Sequence, residues 1–143
     1  MKQAEKHFGA EHPRTFGLQA QLGLNLLQQK KYAAAEKLLR TCLQGRARQE
    51  PNAWTTFNTQ SLLGGALLGQ KKYADAEPLL LKGYQGMKER QASIPPVGQP
   101  RLKEALERLV QLYEVTGNSK EEARWRRELD AHRTPEKKEK ERP

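Results

Sequence analysis

The sequence is poor in cysteine, with one in 143 residues, and poor in aromatics, at 6%. One cysteine cannot close an internal disulfide, so a disulfide-stapled scaffold is excluded. No apolar run approaches the roughly 20 residues that a membrane helix requires. The longest such stretch, Leu62 to Leu68, is broken by Gly64 and Gly65. The first residues, Met1-Lys2-Gln3-Ala4-Glu5-Lys6-His7, carry no apolar core of a signal peptide. A reducing, cytoplasmic setting is the expectation. Strand-like alternation is also missing, and with it any sign of a sheet.

Hydrophobic residues make up 36%, low for a single deep core. The formal charge of +9 is dispersed. Residues 1–50 hold nine basic and four acidic side chains, residues 51–100 five and three, and residues 101–143 twelve and ten. The densest basic group, Arg124, Arg126 and Arg127, is interleaved with Glu121, Glu122 and Glu128. Mixed charge at helical spacing reads as a solvated face. A nucleic-acid surface would show a cleaner patch of one sign.

The sequence does repeat itself. Shifted by 41 residues, positions 14–43 match positions 55–84 at 16 of 30 places. The matches include Thr15-Phe16 with Thr56-Phe57, Leu22-Gly23 with Leu63-Gly64, and Gln29-Lys30-Lys31-Tyr32-Ala33 with Gln70-Lys71-Lys72-Tyr73-Ala74. Amphipathic periodicity alone would not reproduce that polar block. A degenerate third copy carries Leu102, Leu106, Leu109, Val110 and Tyr113, then a break at Thr116-Gly117-Asn118-Ser119. Placing Ala123 on Ala76 gives an offset of 47, which puts Gln111 where Gly64 stands and Lys120 where Tyr73 stands.

Each copy reads as two helices. Helix A of the first runs from about Arg14 to Gln28, with His12 as cap and Pro13 at the first helical position. Helix B runs from Tyr32 to about Gln49. The second helix A is expected after Asn52, a favourable capping residue. Gly23 and Gly64 interrupt helices at a cost of about 1 kcal/mol each, so a packing role is expected, opposite Ala35 and Ala76. Leu22, Leu26, Leu38, Leu39 and their copies should form the seam. The fold class is all-α: a right-handed α-solenoid of about three stacked antiparallel hairpins, at about 12–50, 52–93 and 100–132, within a repeat domain of 10–132. Residues 1–9 read as the remnant of a preceding helix, and 133–143 as a disordered charged tail.

The spacing Leu22-Gly23, Tyr32, Ala35, repeated as Leu63-Gly64, Tyr73, Ala76, resembles the tetratricopeptide repeat. The 41-residue period, with Phe8-Gly9-Ala10-Glu11-His12-Pro13-Arg14-Thr15 and Lys72-Tyr73-Ala74-Asp75-Ala76-Glu77-Pro78-Leu79-Leu80, resembles its longer kinesin-light-chain class. Tyr84-Gln85-Gly86-Met87-Lys88, Ile94-Pro95-Pro96 and Leu106 to Glu114 are similar to the terminal repeats of bacterial serine/threonine protein kinases. That kinship implies the tail of a kinase-linked array; no kinase signature is in the chain.

The residues give no catalytic constellation, and no cofactor or metal is expected. His7, His12 and His132 have no ligand spacing. Cys42 lies on the apolar stripe of helix B and reads as core. Trp54 should pack against the neighbouring hairpin. The resemblance implies a non-enzymatic module that binds a peptide or partner helix on the concave helix-A face. The candidate residues are Gln21, Leu24, Gln28, Asn58, Ser61, Gly65, Arg108 and Leu112, on a face uncharged apart from Arg108. A basic helical-repeat nucleic-acid binder is the alternative, and its affinity would fall steeply with salt. Self-association is a third reading, through an open N-terminal face exposing Phe8, Phe16 and Leu18.

Overall fold

A computed structural model describes residues 12–132. The expectations for residues 1–9 and 133–143 lie outside the described residues. Six α-helices follow in order: α1 (Pro13–Gln28), α2 (Tyr32–Gln49), α3 (Trp54–Gly69), α4 (Tyr73–Glu89), α5 (Pro100–Val115) and α6 (Ser119–Ala131). Two short 3-10 turns, Gln91–Ser93 and Pro96–Gly98, bridge α4 and α5. No strand occurs among the described residues, and no helix is long and apolar enough to cross a membrane. The all-α expectation holds. Each helix packs on the next, and α1 with α3 and α3 with α5 also touch.

Local chemistry fixes the helix ends. Pro13 opens α1, and His12 caps it, its Nδ1 accepting from the Arg14 N–H (3.1 Å). Asn52 does not cap α3. The helix begins one residue later, after Ala53, and the Asn52 carbonyl instead accepts from Arg90 Nε (2.6 Å). Three left-handed residues, Lys30 (φ 61°), Lys71 (φ 64°) and Gly117 (φ 75°), turn the three hairpins. Each is followed by an N–H that reaches back to close the preceding helix: Lys31 to Leu26, Lys72 to Leu67, Asn118 to Tyr113.

These turns set the true register of the third copy. Lys71 to Gly117 is 46 residues, as is Tyr73 to Ser119. The offset is therefore 46 and not 47. Val110, not Gln111, stands where Gly64 does, and Ser119, not Lys120, where Tyr73 does. Ala123 is exposed, whereas Ala76 is wholly buried. The small-residue match misled because Ala123 is not a packing residue.

The helices approach closely at matched glycines. A Cβ on Gly23 would lie 2.5 Å from Leu39 Cδ2, and one on Gly64 would lie 2.8 Å from Leu80 Cδ2. The expected partner was the alanine; the leucine one turn later is what the glycine receives. A second matched pair was not anticipated: the Phe16 ring lies on Gly45 and the Phe57 ring on Gly86, again 41 residues apart. In the third hairpin no leucine enters. Arg126 stands at the Leu80 position, turned outward to Glu122 (2.8 Å) and Glu114 (3.2 Å), and Val110 fills the space.

The core is one continuous cluster from Phe16 to Trp125. Cys42 is buried within it and donates to the Phe16 carbonyl (3.3 Å). Phe16 is only 2% exposed, against expectation, because Gly45 receives its ring. Leu22 was expected in the seam but is 37% exposed, while its copy Leu63 is 1% exposed. Helix α2 packs against α3, and no described helix stands in that place before α1. Leu18, at 47%, shares the open face, while Leu26 and Leu38 are half-buried. At the other end, Trp125 meets the Tyr84 ring edge-on at 5.5 Å, and the Tyr84 hydroxyl donates to Glu128 (2.7 Å), fastening α6 to α4.

A polar latch joins the first hairpin to the second. Glu36 accepts from Gln70 Nε2 (2.8 Å), from Lys72 Nζ (3.4 Å) and from Arg40 on its own helix (2.8 Å). These donors, Gln70 foremost, hold its carboxyl at about 2, against an ordinary 4.5. A carboxyl depressed on folding stabilises above its unfolded pKa and loses that contribution as pH falls towards the folded value. Glu36→Gln is therefore expected to cost about 1 kcal/mol at pH 7 in urea unfolding. The gap to the parent should close between pH 4.5 and about 2.

The glycines give a paired test. A Cβ on Gly17 meets nothing within 4 Å, whereas on Gly86 it enters the Phe57 ring. Gly17→Ala should stabilise by about 0.5–1 kcal/mol through helix propensity. Gly86→Ala should destabilise by about 1–3 kcal/mol through overpacking. Thermal melts of the two variants check both signs.

Candidate functional site

Pro13 and Pro100 open α1 and α5, α3 follows the short turn after α2, and the three helices run side by side. Their shared face holds two adjoining hollows that meet at Leu24. The larger, of about 270 Å³, has Gln28, Tyr32, Gly65, Glu104, Arg108 and Gln111 among its walls. The smaller, of about 130 Å³, is bordered by Gln21, Arg46, Trp54, Asn58, Leu62 and Arg101.

Six of the eight residues expected from sequence lie on these walls: Gln21, Leu24, Gln28, Asn58, Gly65 and Arg108. Ser61 is fully buried behind them, where its hydroxyl accepts from Arg108 (2.9 Å). Leu112 does not belong to this face. It is 2% exposed and borders a separate hollow beside Tyr73 and Tyr113. The helical turn carries it past the groove, since Arg108 and Gln111 already occupy the wall.

The face carries more charge than the expected Arg108 alone: Glu104, Arg46 and Arg101 border it as well. Arg108 lies over Gly65, with its Nε 3.1 Å from where a Cβ would be. A larger residue at 65 would unseat it. Burial lowers the Arg108 pKa to about 10, opposed by Glu104, so the guanidinium stays protonated at neutral pH. No carboxylate among the described residues pairs with it; Glu104 is engaged by Arg101 (2.6 Å).

Arg46 was missed. It belongs to α2, not to a helix-A face, and is only 7% exposed. Its Nη1 donates to Thr59 Oγ1 (2.9 Å) and to the Thr55 carbonyl (3.3 Å), while Nε has no partner in the protein. Burial pushes its pKa down, with Glu50 among the groups opposing it. Asn58 Oδ1, on the same hollow, is likewise buried without a donor. One signal was in the sequence: Leu18 becomes Thr59 at the matched position. A polar residue standing where the other copy has a leucine implies a polar partner across the junction.

Trp54 packs its ring over Gly98, 2.7 Å from where a Cβ would be, and beside Ile94. It thereby ties the linker before α5 to the start of α3, where a contact with the neighbouring hairpin was expected. Among the described residues no group of three or more His, Cys, Asp or Glu side chains could hold a metal.

A buried, unpaired guanidinium costs stability, because desolvation exceeds what two neutral acceptors return. Arg46→Met keeps the apolar stem and removes the charge. It is expected to raise stability by about 1 kcal/mol in chemical denaturation, and a loss instead would assign Arg46 to holding α2 on α3. No protein-family model and no curated protein matches the chain.

Proposed function

We propose that the chain is a non-enzymatic interaction module of tetratricopeptide-like hairpins, holding a peptide or a partner helix along α1, α3 and α5. One observation carries this reading: two buried polar atoms without a partner, Arg46 Nε and Asn58 Oδ1, border one hollow, and Arg108 borders the adjoining one. Arg108 donates to Ser61 and has no carboxylate partner among the described residues, Arg46 is a buried charge without a carboxylate, and Asn58 Oδ1 lacks a donor. Native proteins pair buried polar atoms, and exceptions ask for a reason. A ligand that supplies hydrogen-bonding groups between apolar contacts to Leu24 and Leu62 would satisfy them.

Seven other basic side chains, Arg40, Lys72, Lys88, Arg90, Arg101, Arg124 and Arg126, pair with carboxylates. This mixing of signs favours a peptide ligand over a phosphate backbone, which is held by a basic patch.

Screening the full chain against a random peptide library, then measuring the hits by fluorescence anisotropy, tests the proposal. Asn58→Ala and Arg108→Ala are each expected to weaken binding by about 1–3 kcal/mol. Hits indifferent to both substitutions would overturn the site. Tight binding to random DNA that collapses with salt would favour the nucleic-acid reading.

A further inference from the structure

The two junctions between hairpins are built from matched residues, yet only the first is filled. There Glu36 receives Gln70 and Lys72. The matched carboxylate in the second junction is Glu77, 41 residues on. By the register of the turns, 46 residues separate Gln70 from Thr116 and Lys72 from Asn118. Thr116 and Asn118 are too short to replace a glutamine and a lysine, and neither bonds to Glu77. The Thr116 hydroxyl turns back to the Leu112 carbonyl (2.8 Å), and the Asn118 side chain caps α6 at Glu121 N (3.2 Å).

Glu77, exposed at the surface, has one donor within the protein, the Tyr113 hydroxyl (2.6 Å), and no basic side chain in ion-pair range among the described residues. In the place of the missing glutamine and lysine lies a hollow of about 260 Å³. Tyr73, Ala74, Glu77, Tyr113, Thr116 and Asn118 line it. Pro78 adds to the excess of acceptors. It has no N–H to give the Ala74 carbonyl one turn back, whereas Lys37, its counterpart in α2, keeps that donor for Ala33. Glu121 adds to the negative field around Tyr113, opposed by its partner Arg124. The ring of Tyr73 supplies an aromatic wall, favourable to a cation.

We propose that this hollow is a binding site for a cationic side chain, a lysine ammonium or an arginine guanidinium, presented on a peptide segment. The protein demonstrates the chemistry in its own first junction, where Lys72 fills the matched place from within. The site shares no residue with the groove on α1, α3 and α5, so either can fail without the other. The cation has two sources: an external partner, or the chain's own Lys137, Lys138, Lys140 and Arg142.

The test is an NMR titration of the full chain with Nα-acetyl-lysine methylamide, with the norleucine analogue as the uncharged control. The lysine probe should shift the Tyr73, Glu77 and Asn118 amides with saturation, and the norleucine probe should not. Glu77→Gln still accepts from Tyr113 but loses the charge, and should weaken the lysine probe at least tenfold. The pair Thr116→Gln and Asn118→Lys rebuilds the first junction's donors and should abolish binding. The same titration on the full chain with the four basic tail residues changed to alanine separates the sources. Tighter probe binding than in the parent assigns the hollow to the tail, and equal binding assigns it to an external partner. No shift in either chain, equal shifts with norleucine, or unchanged binding by Glu77→Gln would overturn the proposal.

Discussion

The fold depends on how closely the two helices of a hairpin can approach. Five glycines set that distance: Gly83 lies against the α3 backbone at Phe57 and Ser61, and those at positions 23, 45, 64 and 86 each accept a large side chain from the facing helix, Leu39, Phe16, Leu80 and Phe57. Interlocking of this kind buries Leu39, Leu80 and Phe16 almost completely, and Phe57 partly, in a chain whose apolar share is only 36%. A thin seam is enough because no side chain in it is wasted on a loose contact. The continuity of the core from Phe16 to Trp125 follows from stacking these seams in chain order.

The third hairpin breaks the symmetry, and its departures are mutually consistent. The linker after α4 carries two prolines, at 95 and 96, before Pro100 opens α5, and it delivers α5 five residues late relative to the earlier period. Without a leucine at position 126, no glycine is needed opposite, and Val110 stands there. Lost apolar interlocking is replaced by Trp125 on Tyr84 and by the Tyr84–Glu128 hydrogen bond, which raises the Tyr84 pKa by burial first and by the carboxylate second. The same departure removes the donors that close the first junction. The hollow beside Glu77 is thus a product of the broken repeat, not an independent feature.

Polar groups divide into two kinds. Glu36, Glu128 and Tyr113 are satisfied and fasten helices together. Arg46 Nε and Asn58 Oδ1 are buried without a partner and border one hollow, beside the hollow that Arg108 borders. Structural polar contacts lie between a hairpin and its neighbour, where the repeat dictates them. Of the five buried side-chain atoms without a partner among the described residues, two, Arg46 Nε and Asn58 Oδ1, meet on one hollow of the face that three helices present. Their meeting there is the physical basis for proposing a ligand on that face.

The repeat, the helix-turn-helix pattern and most of the groove were legible in the sequence. Identity at fixed spacing reveals equivalent positions, and equivalent positions in stacked hairpins must share a face. α2 was bounded at Tyr32 and Gln49 from sequence, because polar turns flank it. Three things were not legible. The offset of 46 depends on which residue turns left-handed, and a solitary alanine match outweighed Gly117. The burial of Arg46 depends on a helix packed across a junction, which one-dimensional periodicity cannot see. The exposure of Leu22 beside the burial of Leu63 depends on neighbours, not on residue type. Sequence determined which residues are equivalent; tertiary structure decided which are covered, since burial is a property of what stacks against a face and not of the face itself.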